Sequence, residues 1–213
     1  MVGAPGAGKG TQAAILAARL GIPHVASGEL FRNAVRAASP LGAAVRDYLE
    51  RGQLVPDDLA IEVILDRLAQ PDAARGAILD GFPRTRPQAE ALTAALARRG
   101  QRVDQALYVG VRESELRRRL SGRWICRANG HSYHAIDHPP KRPGVCDIDG
   151  SELYQRDDDR PETVRARLAA QLPPMYDVVD YYTELGILTA VDGEGTIEEV
   201  SDALLRAISE PAR

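Results

Sequence analysis

The sequence predicts an α/β protein with a parallel sheet covered by helices on both sides. Two observations predict it. Short apolar runs alternate with helical patterns along most of the 213 residues, the order that lays strands side by side with helices packed over them. The chain also opens on a glycine-rich loop that passes directly into a helical pattern, the usual setting of an anion-binding turn.

In order, residues 12–20 read as the first helix and 22–25 as a strand ahead of a turn. Ser27-Gly28-Glu29 offers a serine cap for a helix over 30–37, and 41–50 forms another. Pro56-Asp57-Asp58 opens a helix through 69, with acids at its positive end. Residues 77–80, between Gly76 and Gly81, make a compact apolar run with Asp80 at its tip, which reads as a buried parallel strand. A helix over 87–99, a strand over 103–111 and a helix over 113–121 follow. Residues 122–158 break the rhythm: they hold both cysteines and three of the four histidines but no long helical pattern, and read as an inserted lobe. Helices over 162–170 and 176–185, a strand over 188–191 and a capping box from Thr196 to Glu199 complete the chain.

Composition narrows the function. With 27 basic and 30 acidic residues the net charge is −3, which provides no global basic field to hold nucleic acid. Aromatic residues are only 5%, so the core must be aliphatic. Cys126 and Cys146 are too few for a disulfide scaffold. No run approaches the ~20 apolar residues of a membrane span, and no signal peptide precedes the first motif. The expectation is a monomeric cytoplasmic enzyme without nucleic-acid or membrane partners.

The strongest chemical signal is Gly3-Ala4-Pro5-Gly6-Ala7-Gly8-Lys9-Gly10-Thr11. Amides of such a loop point inward as an anion nest, and the following helix adds its positive end. Lys9 can reach phosphate oxygens. The usual motif places Ser or Thr directly after the lysine; here Gly10 intervenes and Thr11 comes one position later.

That ending, with Ala26-Ser27-Gly28-Glu29 and Arg32, Gln53-Leu54-Val55-Pro56-Asp57, Asp80-Gly81-Phe82-Pro83-Arg84 with Gln88, Gly122-Arg123, and Arg156-Asp157-Asp158-Asp159 with Arg167, resembles the adenylate kinase family, in its long bacterial form with a full lid. The resemblance covers nearly the whole chain. It implies a P-loop nucleoside monophosphate kinase fold with two small inserted lobes: a core of 1–25, 56–121 and 160–213, an AMP-binding lobe of 26–55 and a lid of 122–159. It implies reversible transfer of the terminal phosphoryl group of ATP to AMP, giving two ADP, with Mg2+.

By resemblance, Gly6, Ala7, Gly8, Lys9, Gly10 and Thr11 hold ATP, together with Arg119, Arg123, Ser132, Tyr133 and Gly195. Arg32 and Arg84 hold the AMP phosphate. Ser27, Gln53, Leu54, Val55, Gly81, Phe82, Pro83 and Gln88 surround the rest of AMP, and Arg156 and Arg167 bridge the centre of transfer. Asp80 is the implied outer-sphere holder of Mg2+. Ser27 stands where the family usually has threonine. The chemistry suits these types: two polyphosphates repel, and forked guanidinium groups cancel that repulsion two oxygens at a time. A lid that closes over them expels water that would otherwise take the phosphoryl group. Alternatives are a UMP or CMP acceptor, which the long insertion argues against, a GTP donor, and an inactive nucleotide-binding regulator.

Cys126-x-x-Asn129 and Cys146-x-x-Asp149 read as paired metal knuckles. In some members of the family the corresponding four positions hold a structural zinc. Asparagine is a poor zinc ligand, and His131, two residues on, could replace it, giving a set of Cys126, His131, Cys146 and Asp149. A metal-free lobe and a disulfide are the alternatives. One departure concerns the start. The family places a full central strand before the loop, whereas only Met1 and Val2 precede Gly3 here; the expectation is a coding start further upstream, the alternative a fold that tolerates a stub.

Overall fold

The computed structural model describes residues 1–209. Strands β1 (His24–Ala26) and β2 (Ile78–Asp80) pair in parallel, as do β3 (Ala106–Gly110) and β7 (Leu188–Asp192). The first two residues of the chain lie between these pairs. The Met1 nitrogen donates to Leu79 O (2.8 Å), Val2 N donates to Leu107 O (2.8 Å), and Val109 N donates back to Val2 O (2.9 Å). The order across the sheet is therefore β1, β2, residues 1–2, β3, β7. The short central segment places the glycine loop at the C-terminal ends of the neighbouring strands, where β2 also delivers Asp80.

Helices α1 (Lys9–Leu20), α6 (Glu113–Ser121), α7 (Pro161–Glu184) and α8 (Ile197–Ser209) surround one apolar core. Leu16, Leu116, Leu120, Leu168, Tyr182 and Leu204 pack there around Val2, Leu107 and Val109. Each buried leucine contributes roughly 1.5–3 kcal/mol. Helices α2 (Ser27–Arg36), α3 (Pro40–Glu50), α4 (Asp57–Leu68) and α5 (Arg86–Ala97) share a second core. Both phenylalanines of the chain, Phe31 and Phe82, lie in it beside Val25, Val45, Ile64 and Leu92. Helix α3 crosses α2 closely because position 42 is glycine: a Cβ there would stand 2.2 Å from Ala34 O.

Residues 122–159 form a separate antiparallel sheet of β4 (Arg123–Cys126), β5 (Ser132–His134) and β6 (Leu153–Tyr154), in the order β5-β4-β6, followed by a 3-10 turn at Asp157–Asp159. Its small core is Cys126, Tyr133, Cys146 and Leu153. Among the described residues no helix is long and apolar enough to cross a membrane.

The capping box is present in full: Glu199 N donates to Thr196 Oγ1 (3.2 Å) and Thr196 N to Glu199 Oε2 (2.8 Å). Three readings of the sequence need correction. Ser27 does not cap α2, which begins at Ser27 itself; its hydroxyl donates to Gly81 O at 2.6 Å, drawn away by the neighbouring strand end. The 77–80 strand is half-buried, because Asp80 opens onto the cleft. The two helices expected over 162–170 and 176–185 are one, α7, which runs through Pro173 and Pro174. Those prolines leave the carbonyls of Ala169 and Ala170 without helical donors, and both alanines are exposed, so water can serve them. Tertiary packing of the buried Leu168, Met175 and Val178 on either side overrides the local break.

Pro173 is exposed, so Pro173→Ala restores a donor to Ala169 O at no packing cost. Thermal unfolding is expected to show a gain of about 1–3 kcal/mol; an unchanged or lower melting temperature would contradict this account of α7.

Candidate active site

The loop between residue 2 and α1 turns on glycines in the left-handed region, Gly6 (φ 84°) and Gly8 (φ 91°). A Cβ at Gly6 would also press within 2.9 Å of Leu120 Cγ. Helix α1 has no side-chain cap, and Gln12 N, donating to Gly8 O, makes its first i→i−4 bond. The preceding amides of the first turn are free to bind an anion, beside the positive end of the helix. Lys9 Nζ folds back to Ala4 O (2.8 Å). Burial lowers its pKa to about 8; Asp80 works against this, and Arg84, Arg167 and Arg123 add to it. Burial alone would raise the Asp80 pKa, but the His24 hydrogen bond (3.2 Å) and the charges of Lys9 and His24 hold it at about 2.

Arginines from four parts of the chain converge on the loop. Arg84, after β2, bonds Gly81 O (2.6 Å) and Gln171 Oε1 (3.1 Å). Burial lowers its pKa to about 10, helped by Arg167 and Arg32. Arg156, after β6, is lowered to about 10 by burial and by Arg32 and Arg123. Arg167, on α7, is lowered by burial. Arg123 and Arg167 grip the fully buried Asp159 from two sides (2.7 and 2.8 Å). The buried Nε atoms of Arg156 and Arg167 have no protein partner. A buried donor left unpaired is costly, and both of these lie within the cationic cluster.

The implied residues fall on two sides. Ser27, Arg32, Arg84 and Gln88 line one cavity, with Gln53, Leu54 and Val55 on its wall beside Gly81 and Phe82. Pro83 faces instead the larger cleft, of about 1310 Å³, that runs over the loop. That cleft carries Gly6 to Thr11, Arg119, Arg123, Ser132 and Gly195. Arg119 joins its two walls, donating to Gly193 O at 2.9 Å. Tyr133 reaches the cleft as well, but its ring stacks on His138 and its hydroxyl is committed to Cys146 Sγ and Asp147 N, so its side chain serves the lobe's own packing.

Several residues of the site had no role assigned from the sequence. His24 pairs with Asp80 across two strands, a relation that spacing does not reveal. Glu29 accepts from Arg32 (2.9 Å) and Arg36 (3.2 Å) and stands 3.8 Å from Arg156; its i,i+3 relation to Arg32 was a usable signal. Asp158 and Asp159 come two and three residues after Arg156, and the acidic run was the clue to counter-charges for Arg123 and Arg167.

In the inserted lobe, Cys126, His131, Cys146 and Asp149 bring one ligand atom each within 4.8 Å of one another. His131 Nδ1 stands 3.3 Å from Cys146 Sγ and 3.4 Å from Asp149 Oδ2. Asn129 turns its Nδ2 donor to Asp149 Oδ2 (2.7 Å), the wrong polarity for a ligand. Both cysteines are free thiols.

A phosphate loop facing a second anion cavity across a shared group of arginines defines a P-loop phosphotransferase that joins two phosphorylated substrates. Comparison with known proteins narrows the class. The family model described as "Adenylate kinase" matches residues 1–187. The chain is 46% identical over 200 residues to the adenylate kinase of Brevibacillus brevis, covering 94% of each chain. It is 43% identical over 208 residues to that of Caldicellulosiruptor saccharolyticus, covering 98% of this chain and 97% of that one. With the adenylate kinase of Staphylococcus aureus it shares 42% over 201 residues, 94% of each chain. The chain belongs to the adenylate kinase family.

Lys9→Ala is expected to leave the fold intact and to lower turnover by orders of magnitude; turnover within about threefold of the parent would overturn this role. Because Lys9 sits near pH 8 without ligand, and bound phosphate favours its charged form, triphosphate binding should take up a proton just above that pH. Affinity should fall as pH rises through 8. Calorimetry in buffers of different ionisation enthalpy measures both effects.

Proposed function

We propose that the chain catalyses reversible transfer of the terminal phosphoryl group of ATP to AMP, giving two ADP. The observation that carries this reading is the shared arginine cluster: Arg32, Arg84 and Arg167 line both the cavity beside Gln88 and the larger cleft over the glycine loop. In this reading the loop from Gly6 to Thr11 and Lys9 hold the ATP phosphates, with Arg119 and Arg123 beside them. Arg32 and Arg84 hold the AMP phosphate, and Arg156 and Arg167 face the oxygens between. An AMP phosphate oxygen attacks the terminal phosphorus of ATP in line, and the bond to the departing ADP oxygen breaks. Catalysis rests on alignment and charge neutralisation.

Mg2+ entering with ATP would spread the charge of its phosphates. Asp80, ionised at the loop, is suited to hold the water around that ion. Residues 26–55 act as the AMP-binding lobe and 122–159 as a lid, on a core of 1–25, 56–121 and 160–213. Arg36 of α2 already donates to Arg127 O of the lid (3.3 Å), and Arg123 bonds Asp159 at the lid's base. Closure of the lid over the nucleotides would exclude water from the transfer. One chain supplies every group, so the working unit is taken as a monomer with nucleotides as its only partners.

The lid also takes a structural Zn2+ in this reading. Two thiolates, an imidazole and a carboxylate match zinc's tetrahedral donors, and a lobe whose core is only four residues gains most from such a staple.

A coupled assay offering AMP, UMP, CMP and GMP in turn, with ATP or GTP as donor and Mg2+, tests the substrates; no turnover with any pair would establish an inactive nucleotide binder. Arg84→Ala is expected to raise KM for AMP at least about tenfold more than KM for ATP, and equal effects would assign it to the wrong nucleotide. Elemental analysis should find about one zinc per chain. His131→Ala should release the metal and lower the melting temperature, whereas Asn129→Ala should not. Less than about one-tenth of an equivalent, with no gain on adding zinc, would leave the lid metal-free.

A further inference from the structure

The cavity beside Arg32 and Arg84 is bounded by a buried glutamine. Gln88 lines it and is only 2% exposed. An amide side chain has two N–H donors and two acceptor lone pairs, and turning it over exchanges them. Two neighbours of fixed polarity decide which way Gln88 lies. Its Oε1 accepts the backbone N–H of Arg84 at 2.8 Å, and its Nε2 donates to Asp57 Oδ1 at 2.7 Å. A backbone N–H cannot accept and a carboxylate cannot donate. The turned amide would therefore face N–H with N–H at one contact and oxygen with oxygen at the other. One donor and one acceptor of Gln88 remain, in a fixed order.

Asp57 is itself held in place. Its Oδ2 accepts the Thr85 hydroxyl at 3.0 Å, and the oxygen of that hydroxyl accepts Gln88 N at 3.3 Å as the cap of α5. Asp57 also sits in the first turn of α4, where a helix favours negative charge. The carboxylate thus ties the start of one helix to the start of the next, with Gln88 between them.

We propose that Asp57 is a positioning residue for purine selection: through Gln88 it sets the donor–acceptor order that the base of the accepting nucleotide meets, so that the site takes a 6-aminopurine and rejects a 6-oxopurine. The proposal rests on the reading of this cavity as the AMP side. A 6-aminopurine shows an acceptor ring nitrogen next to an amino donor; a 6-oxopurine shows a ring N–H next to a carbonyl. The two edges are opposite in polarity, and an amide that cannot turn serves only one of them in a given pose. The arginines cannot make this distinction, since every nucleoside monophosphate offers them the same phosphate. A buried hydrogen-bonding group left mispaired is among the strongest sources of selectivity.

The test compares AMP with inosine monophosphate as acceptor. Asp57→Asn keeps the size, but the new amide can either accept or donate, so one of the two constraints on Gln88 is lost and only the Arg84 N–H still opposes the turned amide. The ratio of kcat/KM for AMP over inosine monophosphate is expected to fall about tenfold or more. Most of the change should lie in KM for AMP, with KM for ATP and kcat held within about threefold. Asp57→Ala, which withdraws the partner, should move the ratio the same way. An unchanged ratio in either folded variant overturns the proposal, and failure of both to fold would make Asp57 a structural residue and overturn it too. Gln88→Leu separates the two levels. If it raises KM for AMP while the Asp57 variants keep their selectivity, only the role of Asp57 fails. If it leaves KM for AMP unchanged, the reading of the cavity fails and the proposal with it.

Discussion

Like charge held together in a partly buried cleft is the constraint around which this molecule is arranged. Lys9, Arg84, Arg123, Arg156 and Arg167 come from distant parts of the chain and lower or oppose one another's charging. Left uncompensated, such a cluster would cost several kcal/mol in desolvation and repulsion. Asp80, Asp158, Asp159 and Glu29 supply part of the counter-charge. Two donors of the cluster stay unpaired, the buried Nε atoms of Arg156 and Arg167. Several fixed cations held in one cleft suit a polyphosphate and need little rearrangement to bind it.

The sheet supplies the rigidity that this charge requires. Residues 1–2, between β2 and β3, bring the glycine loop next to Asp80, and the loop's left-handed glycines aim α1 at the same point. Around that fixed centre the chain adds two smaller packing units: the helices that share the Phe31 and Phe82 core, and the antiparallel lobe around Cys126, Tyr133, Cys146 and Leu153. Arg123, Arg156 and Asp159 stand where the lobe joins the rest, so its position and the charge balance of the cleft are coupled.

Much of this was legible in the sequence. The glycine loop, the Asp80-to-Arg84 block and the Thr196–Glu199 box are encoded by spacing along the chain, because a tight turn or a first helical turn involves only neighbours. The alternation of strands and helices was equally plain, although strand ends moved by one to three residues. Pro173 and Pro174 misled, since local propensity argues for a break and packing of Leu168, Met175 and Val178 holds the helix together.

By itself the sequence determined the fold class, the anion loop, the family and the set of arginines available to it, all of which follow from residue type at short separation. Tertiary structure alone decided which partner each polar group meets. It turned the Ser27 hydroxyl to Gly81, paired His24 with Asp80, brought the His131 ring rather than the Asn129 side chain to Cys146, and set Asp57 against Gln88. These choices depend on distances of about 3 Å between residues separated by many positions, and only the packed core brings such residues within hydrogen-bonding reach.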